Sequence, residues 1–397
     1  MLAILVLLSA MPDTMAAPVV KEILVDRYGA YAQDAQVFNA INLLGALVAM
    51  PLLAWSRQRI SPERLVAIAS LADALLLWSM ACPLGLSWTL ALRALEGVTD
   101  VMVFAGLFDL VRRASALHVA RGLGIASTPL LLGLGSGAVA GGAIVRSGDA
   151  SASAAWVFGV SGLLSVAVAL AVLRAAGTAP AGPRMARPEP SAIHDRRPLW
   201  PGLAMAFADR ATGGLITGTL PVALAQVLGH TATTRGMVVG LPLLLMALGA
   251  GPAGWLCDRF GPLRVRMVSG IAYACAFAAL PIVSSDSLAL GATMTVVGLA
   301  GSALFASSLA LVVGPDDSTL QLGAFRGAGD LGFLCGTALC VVLLHAYGGE
   351  SPSFDDYRAL VLGFAAFHAV TTLIGGSALA LDFARRRGAN RQVERKH

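Results

Sequence analysis

The sequence predicts an all-α polytopic membrane protein whose twelve transmembrane helices form two six-helix bundles. Of the 397 residues, 57% are hydrophobic and 13% are charged, a balance far too apolar for a water-soluble protein. A hydrocarbon core of ~30 Å takes roughly 20 helical residues per crossing. Apolar stretches of that length define spans 1 to 12: Leu2–Val25, Val37–Trp55, Leu65–Leu84, Leu86–Phe108, Gly122–Val145, Ala154–Leu173, Trp200–Gln226, Gly236–Leu256, Val265–Val283, Leu288–Val313, Gly323–Leu344 and Ala359–Leu381.

These stretches favour helices over barrel strands. Backbone polar groups in hydrocarbon must be satisfied within the segment, and barrel strands would alternate polar and apolar residues, which these stretches do not. The five cysteines include no C-x-x-C pair, so we expect neither a disulfide framework nor a zinc site. No cofactor and no metal are expected.

The basic residues indicate how the chain is oriented. With a cytoplasmic N-terminus, the even-numbered loops and the C-terminal tail hold 21 of the 28 Lys and Arg residues, whereas the odd-numbered loops hold only Arg27, Arg146, Arg235 and Arg358. This distribution predicts that both termini are cytoplasmic. It also explains the net charge of +5 without nucleic acid. Arginine outnumbers lysine 26 to 2, a bias typical of a GC-rich bacterial genome, so we expect a bacterial inner membrane.

One long polar segment divides the chain. The prolines and charges of Ala176–Pro198 exclude a membrane helix there. We therefore expect an N-terminal half (1–174), a central cytoplasmic loop (175–199), a C-terminal half (200–384) and a basic cytoplasmic tail (385–397).

The two halves repeat each other. Ser56-Arg57 corresponds to Asp258-Arg259, and the segment 121–124 corresponds to 326–329, at offsets of 202 and 205 residues. Repeats in the same orientation predict two bundles related by an axis along the membrane normal. Such bundles can rock about a site at the midplane.

Span 4 carries three charged residues, Arg93, Glu96 and Asp100. Their spacings of three and four place them on one helical stripe, where Arg93 can pair with Glu96. An ionised side chain in mid-membrane is costly, so we expect the stripe to face the bundle interior. A purely structural ion pair and a role in proton coupling are both compatible with this pattern.

Span 1 carries Asp13 directly after Pro12. The proline is expected to disturb the helix and free backbone groups around Asp13. Burial favours the neutral form of this carboxyl group, whereas a nearby Arg93 would favour the charged form. Asp13 is therefore a candidate for binding and releasing a proton, and the alternative is that it caps or bonds a neighbouring helix.

The second half offers two further charged pairs. Asp209 and Arg210 lie within span 7, and Arg326 and Asp330 are four apart at the start of span 11, where they can pair on one face. We expect structural or gating roles for both pairs in preference to substrate contact.

The segment from Gly254 to Arg266, G-W-L-C-D-R-F-G-P-L-R-V-R, resembles the loop signature G-x-L-A-D-R-x-G-R-R of the major facilitator superfamily. The matching positions are Gly254, Leu256, Asp258, Arg259 and Gly261. The resemblance implies the major facilitator fold and a cytoplasmic latch. In that latch Asp258 accepts hydrogen bonds from a helix N-terminus, while arginines such as Arg259 and Arg264 pair with carboxylates and lipid phosphates. The first-half copy has Ser56 for the aspartate and Arg59 for the glycine, so its latch is expected to be weaker.

Two further motifs strengthen the resemblance. R-A-L-E-G at 93–97 resembles the R-x-x-Q-G motif of proton-coupled members, with Glu96 in place of glutamine. Span 5 resembles the antiporter motif of drug:proton exporters, with Ala138 where proline is usual. Its glycines are Gly124, Gly133, Gly137, Gly141 and Gly142. Close helix packing explains the four-residue glycine spacing equally well.

The resemblance implies a secondary transporter that exports a small, partly apolar molecule in exchange for protons, with Asp13, Arg93, Glu96 and Asp100 as coupling residues. The alternative is proton symport of a nutrient or organic anion, with Arg93 or Arg210 binding the anion. A membrane-embedded enzyme or a scaffold is disfavoured, since the chain has no H-E-x-x-H and no G-x-S-x-G at a strand-to-helix turn. The expected partners are the substrate, protons and the lipid bilayer, without nucleic acid, and we expect a monomer.

Overall fold

The computed structural model describes residues 1–114, 119–145, 149–176, 199–312, 319–349 and 352–394. Within these ranges every regular element is a helix, and helices occupy all twelve predicted spans. Residues 177–198, which make up nearly all of the predicted central loop, lie outside the described ranges.

Nine spans consist of one unbroken α-helix each. They are spans 3 to 6 and 8 to 12: Pro62–Ala81, Leu86–Ala114, Val119–Ile144, Ala150–Ala176, Ala232–Phe260, Pro262–Val283, Ser287–Val312, Thr319–Gly348 and Phe354–Glu394. Most extend beyond the predicted apolar cores, because polar residues continue a helix once it leaves the hydrocarbon.

Span 1 is irregular in its second half. An α-helix, Leu2–Met15, is followed by a 3-10 turn, Ala17–Val19, and a π-helix, Lys21–Asp26. The α-helix passes through Pro12 and ends three residues later, at Met15. A proline removes only one backbone donor, which a membrane helix tolerates.

Spans 2 and 7 are also interrupted. Span 2 comprises Ala32–Val48 and Met50–Arg59, and the chain bends there by 44°. The second helix of span 2 has a proline in its first turn, which cannot donate back to the preceding turn. Span 7 comprises Trp200–Gly214, a π-helix at Leu215–Thr219, and Leu220–Gln226.

Among the described residues, nine helices are long and apolar enough to cross a membrane, or ten if the bent pair of span 2 is one crossing. Span 4 falls short because every stretch of 18 residues in it holds at least three charged side chains. Span 7 falls short because the π-helix leaves both α-helical pieces shorter than 18 residues. The chain is a multi-pass membrane protein.

Most of the predicted basic tail is helical. The α-helix of span 12 continues to Glu394 and so includes residues 385–394. Four of these ten residues are arginines, which favour helix.

The helices form two bundles of six, each with its own apolar core. One core centres on Met15, Phe38 and Phe158, and the other on Leu215, Phe277 and Leu280. We call the side that carries both chain termini the terminal face and the other side the distal face. The bundles meet chiefly where span 5 contacts span 8 and where span 2 contacts span 11.

Candidate functional site

Three acidic side chains meet inside the first bundle. Asp13 of span 1 and Glu96 and Asp100 of span 4 place carboxylate oxygens within 4.8 Å of one another. We call these three residues the carboxylate cluster. Glu96 is fully buried, and the other two are partly buried.

Glycines of span 5 determine how span 1 presents Asp13. A methyl group added at Gly133, Gly137 or Gly141 would collide with a backbone carbonyl of span 1, so the two helices are in direct backbone contact. At Gly137 and Gly141 those carbonyls belong to Met11 and Met15. Asp13 lies between the two methionines and so projects to the other side of the helix, toward span 4.

The remaining glycines of the span 5 motif behave differently. Gly142 faces span 8 in the second bundle, where a methyl group would meet the carbonyl of Ala232. Gly124 lies in the helix of span 5, and its surroundings are outside the described residues. The motif therefore serves one contact within the first bundle and one between the bundles.

Arg93 connects the cluster to span 1. Its guanidinium pairs with both carboxylate oxygens of Glu96, as the three-residue spacing predicted. Its other terminal nitrogen donates to the backbone carbonyl of Asp13 at 3.4 Å. The guanidinium also lies 4.8 Å from the ring centroid of Phe38 in span 2.

Asn42 of span 2 bridges two members of the cluster. Its amide nitrogen donates to Glu96 Oε2 and to Asp100 Oδ2, both at 3.0 Å. Gly45 and Gly97 allow spans 2 and 4 to approach this closely, since a methyl group at either would collide with the other helix backbone. Sequence reasoning missed Asn42; the available signal was Gln36, Asn39 and Asn42, three amides at three-residue spacing in an apolar span.

Asp73 of span 3 adds a fourth carboxylate next to the cluster. It accepts hydrogen bonds from Thr99 Oγ1 at 3.0 Å and from Ser165 Oγ at 2.7 Å. The Thr99 hydroxyl also lies 2.8 Å from the carbonyl oxygen of Glu96, so it lies between Asp73 and the cluster. These two hydroxyl groups provide the hydrogen bonds that the carboxylate of Asp73 needs, so we assign Asp73 a structural role next to the cluster.

The cluster carries more acid than base. One guanidinium faces three carboxyl groups, and Asp13 Oδ1 is buried without a hydrogen-bond partner among the described residues. Fully ionised, the four groups would carry a net charge of −2 in a region of low dielectric constant. Binding a proton lowers that cost, so the arrangement is chemically suited to exchanging protons.

The second bundle holds a different network. Asp209 Oδ1 accepts from Arg266 Nη2 and lies against His368 Nε2, each at 2.8 Å. Asp209 therefore pairs away from Arg210, its neighbour in sequence, because consecutive residues project about 100° apart on a helix. Sequence reasoning missed Arg266 and His368, both fully buried.

Arg210 and Arg326 share one acidic partner. Arg326 Nε donates to Asp330 Oδ2 at 3.3 Å, so the four-residue pairing on span 11 is present. Arg210 Nη2 lies 3.8 Å from Asp330 Oδ1, which is an ion pair without a hydrogen bond. Both arginines are exposed, in contrast to Arg93, Arg235 and Arg266.

The loop signature is exposed in this conformation. Asp258, Arg259 and Arg264 are all exposed, and within the described part of the chain Asp258 and Arg264 make no hydrogen bond or ion pair. The cytoplasmic latch of Asp258 stays a prediction. Gly261 joins spans 8 and 9 with a φ of 85°, a left-handed conformation that favours glycine.

Contacts between the bundles gather toward the distal face. Glu22 of span 1 pairs with Arg235 of span 8. Thr219 Oγ1 donates to Gln36 at 3.0 Å, and Asn39 Nδ2 donates to the carbonyl of Thr217 at 3.2 Å. These contacts hold spans 1 and 2 against spans 7 and 8 near that face.

The chain is similar to known proteins both in sequence and in fold. The sequence matches the Major Facilitator Superfamily over residues 2–208 and again over 199–396. The fold is similar to that of a bacterial homologue of the human lysosomal transporter Spinster in an inward-facing, unoccupied conformation, with a TM-score of 0.75 and 14% identity over 96% of each chain. It is also similar to the nucleoside transporter NupG, with a TM-score of 0.66 and 14% identity over 95% of this chain and 97% of that one. No curated protein sequence matches the chain significantly.

Proposed function

Since this chain belongs to the Major Facilitator Superfamily and is a transporter, we propose that it exports a small, partly apolar molecule in exchange for protons by alternating access. We place it in the inner membrane of a bacterium with both termini cytoplasmic. The observation that carries the proposal is the carboxylate cluster of Asp13, Glu96 and Asp100 around Arg93.

The cluster joins spans 1, 2 and 4 of the first bundle. Asp13 is on span 1, Glu96 and Asp100 are on span 4, and Asn42 on span 2 bonds to both span 4 carboxylates. Adding a proton to one carboxyl group changes which acceptors Arg93 and Asn42 prefer. A change of preference at these contacts alters the relative free energies of the two end states, which is the requirement for coupling.

The distribution of contacts supports a cleft that opens toward the terminal face. The bundles are joined near the distal face by the Glu22–Arg235 ion pair and by the hydrogen bonds of Gln36 and Asn39. At the terminal face Asp258 is exposed. With cytoplasmic termini, this conformation would admit a molecule from the cytoplasm, as an exporter requires for loading.

The alternative is symport, in which a nutrient or an organic anion enters together with protons. The exposed Arg210, whose only ion pair among the described residues is loose, favours this alternative. Antiport and symport use the same cleft and the same carboxylate cluster. They differ in the direction in which protons move relative to the substrate.

Direction is therefore the measurement that tests the proposal. Compounds that stabilise the purified protein in a thermal-shift screen would be added to proteoliposomes that contain a pH-sensitive dye. We expect protons to move opposite to the compound, and the direction is the same for either orientation of the inserted protein. Protons moving with the compound would establish symport, and compound movement without protons would contradict coupling altogether.

A further inference from the structure

Arg210 and Arg326 together have more hydrogen-bond donors than their surroundings use. Their described ion-pair partner is one carboxylate, Asp330, and the side chains are 50% and 59% exposed. The arginines Arg93, Arg235 and Arg266, by contrast, are at most 4% exposed and directly paired with a carboxylate. Among the described residues, Asp330 therefore balances only one of the two positive charges of Arg210 and Arg326, and several of their N–H groups have no acceptor.

Arg210 lies beside span 11, the helix of the second bundle that packs against span 2 of the first bundle. Its partner Asp330 and the ring of Phe333 both belong to span 11. Further along span 7, the carbonyl of Thr217 accepts a hydrogen bond from Asn39 of the first bundle. The exposed Arg210 side chain therefore lies near the boundary between the bundles, closer to the terminal face than that contact.

Neighbouring residues hold the Arg210 side chain in place without neutralising it. Its stem lies over Gly329, where a methyl group would stand 3.1 Å from Arg210 Cγ. Its guanidinium lies 5.6 Å from the ring centroid of Phe333, one turn further along span 11. The space at Gly329 and the aromatic ring of Phe333 thus position the charge of Arg210. Such positioning is more typical of a binding site than of a structural ion pair.

The depth of Arg210 in the membrane also favours a binding site. Arg210 lies ten residues after Trp200, the first residue of span 7, which corresponds to about 15 Å along the helix axis. An exposed cation at that depth is costly unless water or an anion reaches it. Arg326, seven residues into span 11, lies nearer the terminal face on the same path.

We propose that Arg210 and Arg326 bind the anionic group of the transported molecule, whose apolar part lies against Phe333. The ligand class is an organic monoanion with an apolar body, carrying a carboxylate, a sulfonate or a phosphodiester. Guanidinium groups bind such oxyanions in bidentate geometry, and Asp330 occupies the place of that anion when the site is empty. The inference rests on the proposed transport function only in taking the cleft as the substrate path.

The carboxylate cluster of the first bundle favours a ligand with a single anionic group. Asn42 of span 2, three residues beyond Asn39, holds Glu96 and Asp100. The cluster carries more acid than base, so it disfavours a second negative charge on the ligand. The partly buried Asp13 and Asp100 of the first bundle thus have the opposite charge to Arg210 and Arg326 of the second.

The test uses amphiphiles with alkyl chains of similar length that differ mainly in their head group. Octanoate, octanesulfonate, octyltrimethylammonium and octanol would be titrated into the full-length protein in phosphatidylcholine nanodiscs, with the thermal unfolding midpoint as readout. We expect the two anions to bind and the cation and the alcohol to bind at least tenfold more weakly. Equal or tighter binding of the cation would overturn the proposal.

Variants locate the site. Arg210→Gln and Arg326→Gln should each weaken the binding of octanoate at least tenfold. Arg210→Lys should retain part of the affinity because it keeps the charge. The matched control is Arg64→Gln, which removes an exposed arginine from the first turn of span 3, outside the cleft. If Arg210→Gln folds and its octanoate affinity stays within twofold of the wild type, the assignment is wrong.

Two further arms separate related explanations. Nanodiscs that contain phosphatidylglycerol would reveal a lipid headgroup site if that lipid, and not octanoate, stabilised the protein through Arg210; this result would overturn the substrate assignment. Proton movement in proteoliposomes is measured separately. Octanoate binding that depends on Arg210, without proton movement, would leave the anion site standing and contradict the proposed coupling.

Discussion

Glu22 of span 1 and Arg235 of span 8 lie 213 positions apart in the sequence, and their side chains form a two-pronged ion pair. The side chains are 17% and 2% exposed, so the pair is largely shielded from solvent. It joins the two bundles near the distal face. Any conformation that opens this face must separate the two residues, and the ion pair therefore contributes to the stability of the closed distal face.

Replacing Glu22 with glutamine should loosen the distal face. The buried guanidinium of Arg235 would lose its charge partner, and breaking a buried pair in this way costs about 3–5 kcal/mol in soluble proteins. The measurement is the labelling rate of Asn39→Cys by a membrane-impermeant maleimide, with and without Glu22→Gln. We expect labelling to rise several-fold.

Asp26→Asn is the control for that experiment, because Asp26 belongs to the same segment but forms an exposed pair with Lys21 at 2.7 Å. Exposed pairs contribute on the order of 0–1 kcal/mol. If Glu22→Gln and Asp26→Asn give the same labelling rate, the ion pair does not hold the distal face closed.

Glu96→Gln should change how transport depends on pH while leaving expression intact. Glutamine has the same shape and can still accept hydrogen bonds from Arg93 and Asn42, but it cannot take up a proton. The pH–rate profile should therefore lose one titrating step, and Asp13→Asn should have a similar effect. Glu63→Gln, at the start of span 3, should keep the wild-type profile. An unchanged profile for Glu96→Gln would remove Glu96 from the coupling role.

Asp209→Asn should destabilise the second bundle. Arg266 is fully buried and has Asp209 as its ion-pair partner, while His368 contacts the same carboxylate oxygen. Removing the charge leaves a buried cation uncompensated, at a cost of about 3–5 kcal/mol. Asp330→Asn provides the comparison, since its arginine partners are exposed and the loss should be on the order of 1 kcal/mol or less. Equal losses in unfolding experiments would show that the Asp209 network is not structural.

Gly141→Ala should weaken the contact between spans 1 and 5. The added methyl group would collide with the backbone of Met15, and overpacking of this kind costs about 1–3 kcal/mol. At Gly159, where nothing lies within 4 Å of the added group, alanine should be neutral or stabilising by up to ~1 kcal/mol. A lower unfolding midpoint for Gly141→Ala alone is expected. Equal midpoints would mean that the glycine face of span 5 is not needed for close packing.

Local spacing explains what could be predicted from sequence. Hydropathy located all twelve helices, because a bilayer demands roughly 20 apolar residues per crossing whatever the tertiary structure. The Arg93–Glu96 and Arg326–Asp330 pairs were predictable for a similar reason, since residues three or four apart on any helix are neighbours. The glycine face of span 5 followed from the same periodicity.

Contacts between helices were beyond such reasoning. Asn42, Arg266 and His368 became part of the two charged networks only when helix rotation and neighbours were known, and Asp209 proved to pair across helices instead of with adjacent Arg210. Periodicity determines which residues share a face, but it does not determine which helix that face meets. The sequence by itself thus determined the number of crossings and the charges they carry, and tertiary packing alone decided the partner of each charge.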